Sequence, residues 1–320
     1  MMVVIGHFAE SITSRSDMCK SIFIWIYSFH MPLFLLISGM FYKKREILPK
    51  VLGLLMIGFV LKIGLFVETL AFHGDGNLSY TKISGIPWYM FVLAGYMSLS
   101  YFLRNMDKRF ILAFSMLLGL FSGYDASIKD AFAASRFIVF YPFFVMGEML
   151  DSENILHVTR KRKCRLLSVF VLLIWTALCL FRMSNVYTLR PLFTGGIPFG
   201  SRFGVRGGTY RALCYMITLF TGFAVMCLIP HKRLAVVSNF GSRTLQIYFW
   251  HEFVREILIY LGIDRLLCAT QIGKLIWILL AIVLTFVLGL KVFDFPTGLI
   301  VRASRYSPEY MEKENKASGV

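Results

Sequence analysis

Nine apolar runs, near 21–42, 51–72, 87–103, 109–123, 133–150, 166–183, 211–230, 243–262 and 272–293, divide this chain into segments near bilayer-crossing length, several of them short. In lipid, every backbone N–H and C=O must find its partner within the protein, so such runs dictate helices. Composition agrees: 57% of residues are hydrophobic and 16% aromatic, where soluble domains sit near roughly 45–50% apolar. The chain is expected to be all-α, a polytopic membrane helix bundle of about ten spans with the first truncated. Residues 1–13 reach only about 20 Å of the roughly 30 Å hydrocarbon core, and the Met1 ammonium would sit in lipid. The upstream half of that span is therefore expected to be missing.

A net charge of +16 raises the question of nucleic acid, but the placement of the cations points to a lipid bilayer instead. Lys43, Lys44, Arg45 and Lys50 follow one span, and Arg104, Lys108 and Arg109 follow another. Arg160, Lys161, Arg162, Lys163 and Arg165 form a third cluster, His231, Lys232 and Arg233 a fourth, and the tail adds Arg302, Arg305, Lys313 and Lys316. If every run crosses, all fall on one side, which is then cytoplasmic. The expected organisation is one membrane domain over 1–302 and a polar cytoplasmic tail over 303–320 of disorder-like composition. Six scattered cysteines, with no C-x-x-C, indicate neither a disulfide framework nor a metal site.

One outer loop breaks the charge rule. Residues 184–210 carry Arg190, Arg202 and Arg206, with Gly195, Gly196, Gly200, Gly204, Gly207 and Gly208 between and after them. Arginine meets carboxylates and phosphates with a planar fork, so this loop could steer an anionic acceptor and fold over a site as a lid. Snorkelling to outer-leaflet headgroups would place the same arginines there.

Ionisable groups inside spans are costly and mark function by default. His7 ends the run Val3-Val4-Ile5-Gly6, and His30 opens Met31-Pro32-Leu33-Phe34 in the next span. Counting from the short loop between them puts both imidazoles at similar depth. Glu10, three residues after His7, shares its helix face and is placed to fix its tautomer and stabilise its charged form. It could equally snorkel outward. Pro32 should kink its helix and free a carbonyl. His251 sits beside Glu252, with Arg255 and Glu256 at helical spacing, and reads as part of a structural polar seam. A zinc H-E-x-x-H is ruled out by Arg255 at the last position, and neither G-x-S-x-G nor a P-loop occurs. Arg136 opens the run to Tyr141-Pro142-Phe143-Phe144, as an interface anchor or a clamp for an anion.

Taken in order, these segments resemble the acyltransferase-3 family of integral-membrane acyltransferases, which includes sugar O-acetylases. Val3 to His7 is similar to the family's first-span G-H ending, and Phe29 to Gly39 to its H-x-P-L-F-x-x-x-S-G element. Lys43-Lys44-Arg45 before Pro49, Pro87-Trp88-Tyr89, Arg136 with Pro142-Phe143-Phe144 and Gly147, and Phe240 to His251 each resemble further family segments. The likeness runs over nearly the whole chain. It departs at a basic element about ten residues before the first histidine, a position upstream of Met1.

The resemblance implies transfer of an acyl group, usually acetyl from acetyl-CoA as donor substrate with no bound cofactor, to a hydroxyl of a cell-surface glycan or its lipid-linked precursor. It puts the catalytic histidine at His7. A neutral imidazole can take the hydroxyl proton, His30 or Arg136 can offer donors to the oxyanion, and Lys43, Lys44 and Arg45, with Arg136, are candidate donor-binding groups. Acceptor binding falls to Arg190, Arg202 and Arg206. A multi-pass transporter or flippase, or a glycan polymerase, would account for the spans and buried charges as well.

Overall fold

A computed structural model of the protein describes residues 1–43, 47–74, 85–128, 131–230 and 240–305, omitting the side chains of His73 and Arg305. All regular structure among the described residues is helical. In chain order the helices that build the bundle are α1 (Met2–Ser11), α2 (Asp17–Tyr27), α3 (His30–Met40), α4 (Ile47–His73), α5 (Trp88–Phe102), α6 (Lys108–Phe121) and α7 (Ala134–Met149). They continue with α8 (Ser152–Arg160), α9 (Arg162–Phe181), α10 (Met183–Tyr187), α11 (Arg190–Thr194), α12 (Gly200–Phe203), α13 (Gly207–Leu228), α14 (Thr244–Tyr260), α15 (Ile263–Leu267), α16 (Gln271–Leu288) and α17 (Thr297–Arg305). Each of the nine apolar runs holds one of these helices, or the α2–α3 pair. Five described stretches, Asp17–Met40, Ile47–Phe72, Arg162–Phe181, Gly200–Leu228 and Gln271–Leu288, are long and apolar enough to cross a membrane unaided. The helices in the remaining runs, α5, α6, α7 and α14, have 15, 14, 16 and 17 residues.

Exposure sorts the helices by what they face. On α9, Leu166, Leu167, Phe170 and Leu173 are each about 60% exposed or more, an apolar surface of the kind that lipid covers in a membrane bundle. By contrast α7 buries most of its length, including Phe140, Phe143 and Phe144. It lies against α3 at backbone distance. A Cβ on Gly39 would overlap the Phe144 carbonyl, and one on Gly147 would overlap the Leu36 carbonyl, so two small residues set this approach. Gly147→Ala is expected to lower thermal stability by about 1–3 kcal/mol or more, because backbone rather than a flexible side chain must yield. Melting followed by size-exclusion fluorescence checks this, and an unchanged melting temperature would contradict it.

The second span is broken in the middle, at Ser28 and Phe29. Pro32 has no N–H to offer the Ser28 carbonyl four residues back. The Thr218 hydroxyl of α13 donates to that carbonyl instead, at 2.5 Å. His30 Nδ1 donates to the Ile26 carbonyl at 3.0 Å, across the same break. The kink is thereby satisfied from within the protein, and it leaves Tyr27 and His30 on either side of it. At the outer end of α1, the fully buried Trp277 of α16 donates its indole N–H to the Phe8 carbonyl at 2.9 Å. Arg15, just beyond α1, pairs with Asp264 at 3.3 Å. Together these contacts fix α1 among α2, α14 and α16.

Candidate active site

Four side chains from four helices meet in the bundle interior. His7 comes from α1, Tyr27 from the end of α2, His30 from the start of α3 and His251 from α14. Tyr27 and His30 have ring centroids 4.6 Å apart. His7 lies 6.0 Å from Tyr27 and 5.3 Å from His251 by the same measure. Tyr27 and His30 are three residues apart, a spacing that puts both on one side of the chain, and the break between them falls at Ser28 and Phe29.

Glu10 links His7 to Arg190. The Tyr27 hydroxyl donates to Glu10 Oε2 at 2.8 Å and lies 3.2 Å from His7 Nδ1. The same carboxylate oxygen is 3.4 Å from Nδ1, and Arg190 Nη2 donates to the other oxygen at 2.8 Å. A carboxylate can only accept, and the Tyr27 proton is already directed to it. Both neighbours therefore favour a proton on His7 Nδ1, leaving Nε2 of the neutral ring as the proton acceptor. The arrangement is a base held by an orienting carboxylate, with a hydroxyl and a guanidinium holding that carboxylate in turn. The expected His7–Glu10 relation on one helix face is present.

His251 is fully buried. Its Nδ1 lies 2.8 Å from the Tyr248 carbonyl and 3.1 Å from the Ile247 carbonyl, which likewise places its proton on Nδ1. The seam expected beside it exists: Arg255 binds Glu252 through two bonds at 2.7 and 3.0 Å and Glu256 at 2.5 Å. His251 itself takes no part in that seam and faces His7.

Two cavities flank the cluster. The outer one, about 600 Å³, is lined by Glu10, Lys20, Arg136, Tyr187, Arg190 and Arg202 among others. The second, about 250 Å³, is walled by apolar groups including Val4, Phe34, Leu54 and Leu93, with Tyr248 and His251 also lining it. Arg190 stacks over the Phe23 ring at 4.9 Å. Arg136 lies over the Trp88 ring at 5.2 Å, and its Nε donates to the Thr194 carbonyl at 3.4 Å. The structure thus groups Arg136, assigned from the sequence to the donor-binding set, with Arg190 and Arg202 on the outer cavity. Arg206 is exposed and lies outside that lining. Lys43 is exposed at the end of α3, while Lys44 and Arg45 lie outside the described residues.

Sequence reasoning missed Tyr27 and the placement of His251 against His7. Tyr27 looked like one aromatic among many, and only its distance of three residues from His30 across a proline-broken helix hinted at it. For His251 the adjacent Glu252 and Arg255 offered a sufficient local explanation, and nothing local shows that a residue 244 positions upstream packs against it.

A family model described as an acyltransferase domain matches residues 1–292. No curated protein and no solved structure matches the chain. With a match over nearly its full length, a helical membrane architecture and an oriented imidazole at the position the resemblance assigns, the chain belongs to the acyltransferase-3 family of membrane acyltransferases.

Proposed function

We propose that the protein transfers an acetyl group from acetyl-CoA to a hydroxyl of a cell-surface glycan or its lipid-linked precursor, at the plasma membrane, with His7 as general base. The observation that carries this reading is the Glu10–Tyr27 clasp on His7 Nδ1. It leaves Nε2 free to take the proton of an attacking hydroxyl, and the carboxylate stabilises the imidazolium that results. His30 has its Nδ1 proton engaged with Ile26, so its neutral ring is an acceptor and its part is to hold the kink beneath Tyr27. Arg136 is then the group assigned to the oxyanion. Lys43, Lys44 and Arg45 serve the CoA phosphates at the cytoplasmic face.

The outer cavity suits an acceptor that carries negative charge, because Lys20, Arg136, Arg190 and Arg202 face it against the single carboxylate of Glu10 among its lining groups. Arg202 is exposed there, with no part in the Glu10 clasp. Arg202→Gln is expected to raise the acceptor KM several-fold, on the order of 1 kcal/mol for an exposed charge pair, and to leave the acetyl-CoA KM unchanged. Arg206→Gln, outside the cavity, should change neither. Steady-state kinetics with a charged glycan acceptor tests both, and a donor KM that moves with Arg202 would contradict the assignment. The activity itself is tested by acceptor-dependent release of CoA from acetyl-CoA by purified protein. Transport of the glycan without CoA release would contradict it.

A further inference from the structure

Acyl transfer moves one proton from the acceptor oxygen to the donor sulfur; His7, clasped from the outer-cavity side through Glu10, takes it up, and the proton must still reach the sulfur. A thiolate released inside the bundle has no water shell to stabilise it, so its departure calls for a proton from a nearby group. His251 is placed to give one. It is fully buried, its Nδ1 proton is held by two backbone carbonyls, and its Nε2 has no hydrogen-bond partner. An unpaired nitrogen at that depth is costly, and this one belongs to a ring packed against His7. Its ring is adjacent to His7, with centroids 5.3 Å apart. The two histidines also belong to different sides of the cluster. Glu10, the partner of His7, lines the outer cavity, whereas His251 lines the apolar chamber together with Thr244 and Leu245 from the cytoplasmic end of its own helix. Glu252 beside it is already held by Arg255.

We propose that His251 is a second proton-transfer group, relaying the acceptor proton from His7 to the departing thiolate of the acyl donor; this rests on the acyltransferase reading above. The acceptor O–H bond breaks as His7 Nε2 takes the proton, and the oxygen's electron pair forms the new C–O bond to the thioester carbon. The C–S bond then breaks and its electrons go to sulfur. The proton passes from His7 Nε2 to His251 Nε2 and on to that sulfur, which leaves as the free thiol, and both imidazoles are neutral again. The apolar chamber keeps water from intercepting the proton or the thioester.

The decisive variant is His251→Asn. Its side-chain amide can still donate where Nδ1 does, toward the Ile247 and Tyr248 carbonyls, but it has nothing in place of Nε2. A structural role survives this change and a proton relay does not. Acetyl transfer from acetyl-CoA by His251→Asn is expected to fall by roughly 10²–10⁴-fold, with monodisperse protein on gel filtration. In His251→Ala, added imidazole should restore part of the lost rate in a concentration-dependent way. If His251→Asn fails to fold, the imidazole titration of His251→Ala decides alone. Wild-type turnover in His251→Asn, or no response to imidazole in His251→Ala, would overturn the relay while leaving the general base at His7 intact. Absence of transfer by the wild-type protein would instead overturn the acyltransferase reading.

Discussion

His7→Ala is expected to lower acetyl transfer by roughly 10²–10⁴-fold, the usual contribution of a positioned general base, while the protein still inserts and stays monodisperse. The retention of fold follows from where the residue's neighbours are anchored. The Phe8 carbonyl remains bound by Trp277, and Arg15 by Asp264, so α1 keeps its place without the imidazole. The His7 side chain is about 20% exposed and, among the described residues, makes its polar contacts with Tyr27 and Glu10. Its removal leaves those two bonded to each other at 2.8 Å. No buried polar group is orphaned, and the loss falls on chemistry. Comparing CoA release by the variant and by wild-type protein at equal detergent-solubilised yield checks this. A variant rate within about threefold of wild type would exclude a base role.

Glu10→Gln carries the second large effect. The carboxylate of Glu10 meets His7, Tyr27 and Arg190, and an amide of the same size keeps the shape while removing the charge. Without that charge the imidazolium formed during transfer loses its stabilising partner, and an amide N–H facing Nδ1 would favour the wrong tautomer. Removing an orienting carboxylate behind a catalytic histidine can cost about 10⁴-fold, which is roughly 5 kcal/mol. Glu10 is about 31% exposed, so a smaller loss of about 10²-fold is the expected lower bound. The fall should appear in kcat, with the acetyl-CoA KM unchanged, because the proposed donor site at the basic segment after α3 lies apart from Glu10 and the outer cavity. A change confined to the acceptor KM would make Glu10 a binding residue only.

Much of the fold was legible because lipid removes the alternatives. Each apolar run needed internal backbone pairing, and each became a helix or, in the second span, a helix pair. Pro32 announced the break between Tyr27 and His30, although the donor that satisfies the Ser28 carbonyl, Thr218, comes from a helix 190 positions away and left no local trace. The limits of α4 and α16 were less legible: the runs 51–72 and 272–293 became Ile47–His73 and Gln271–Leu288.

The site was legible where chemistry and spacing coincide on one element. His7 and Glu10 are three apart on one helix, and that relation survives intact. Arg190 and Arg202 stood out by violating the charge distribution expected of an outer loop, and both line the outer cavity. Arg136, read from the sequence as an interface anchor or an anion clamp and grouped with the donor-binding residues, lines the same cavity. The fold brings its guanidinium over Trp88 and beside the 184–210 loop. His251 was hidden by its own neighbours: Glu252, Arg255 and Glu256 do form the polar cluster their spacing suggests, and that cluster explained the segment without requiring the histidine to do anything.

The central claim is that His7 takes a hydroxyl proton so that an acyl group can pass from a CoA thioester to a glycan. The most direct measurement supplies acetyl-CoA labelled in its acetyl group to the purified protein in lipid vesicles, together with envelope glycans from the source cells, and counts label in the recovered glycan. Wild-type protein should transfer label with release of one free thiol per acetyl group moved, and His7→Ala protein should leave the label on CoA. Label that stays on CoA with wild-type protein, or reaches the glycan equally well without His7, would contradict the account.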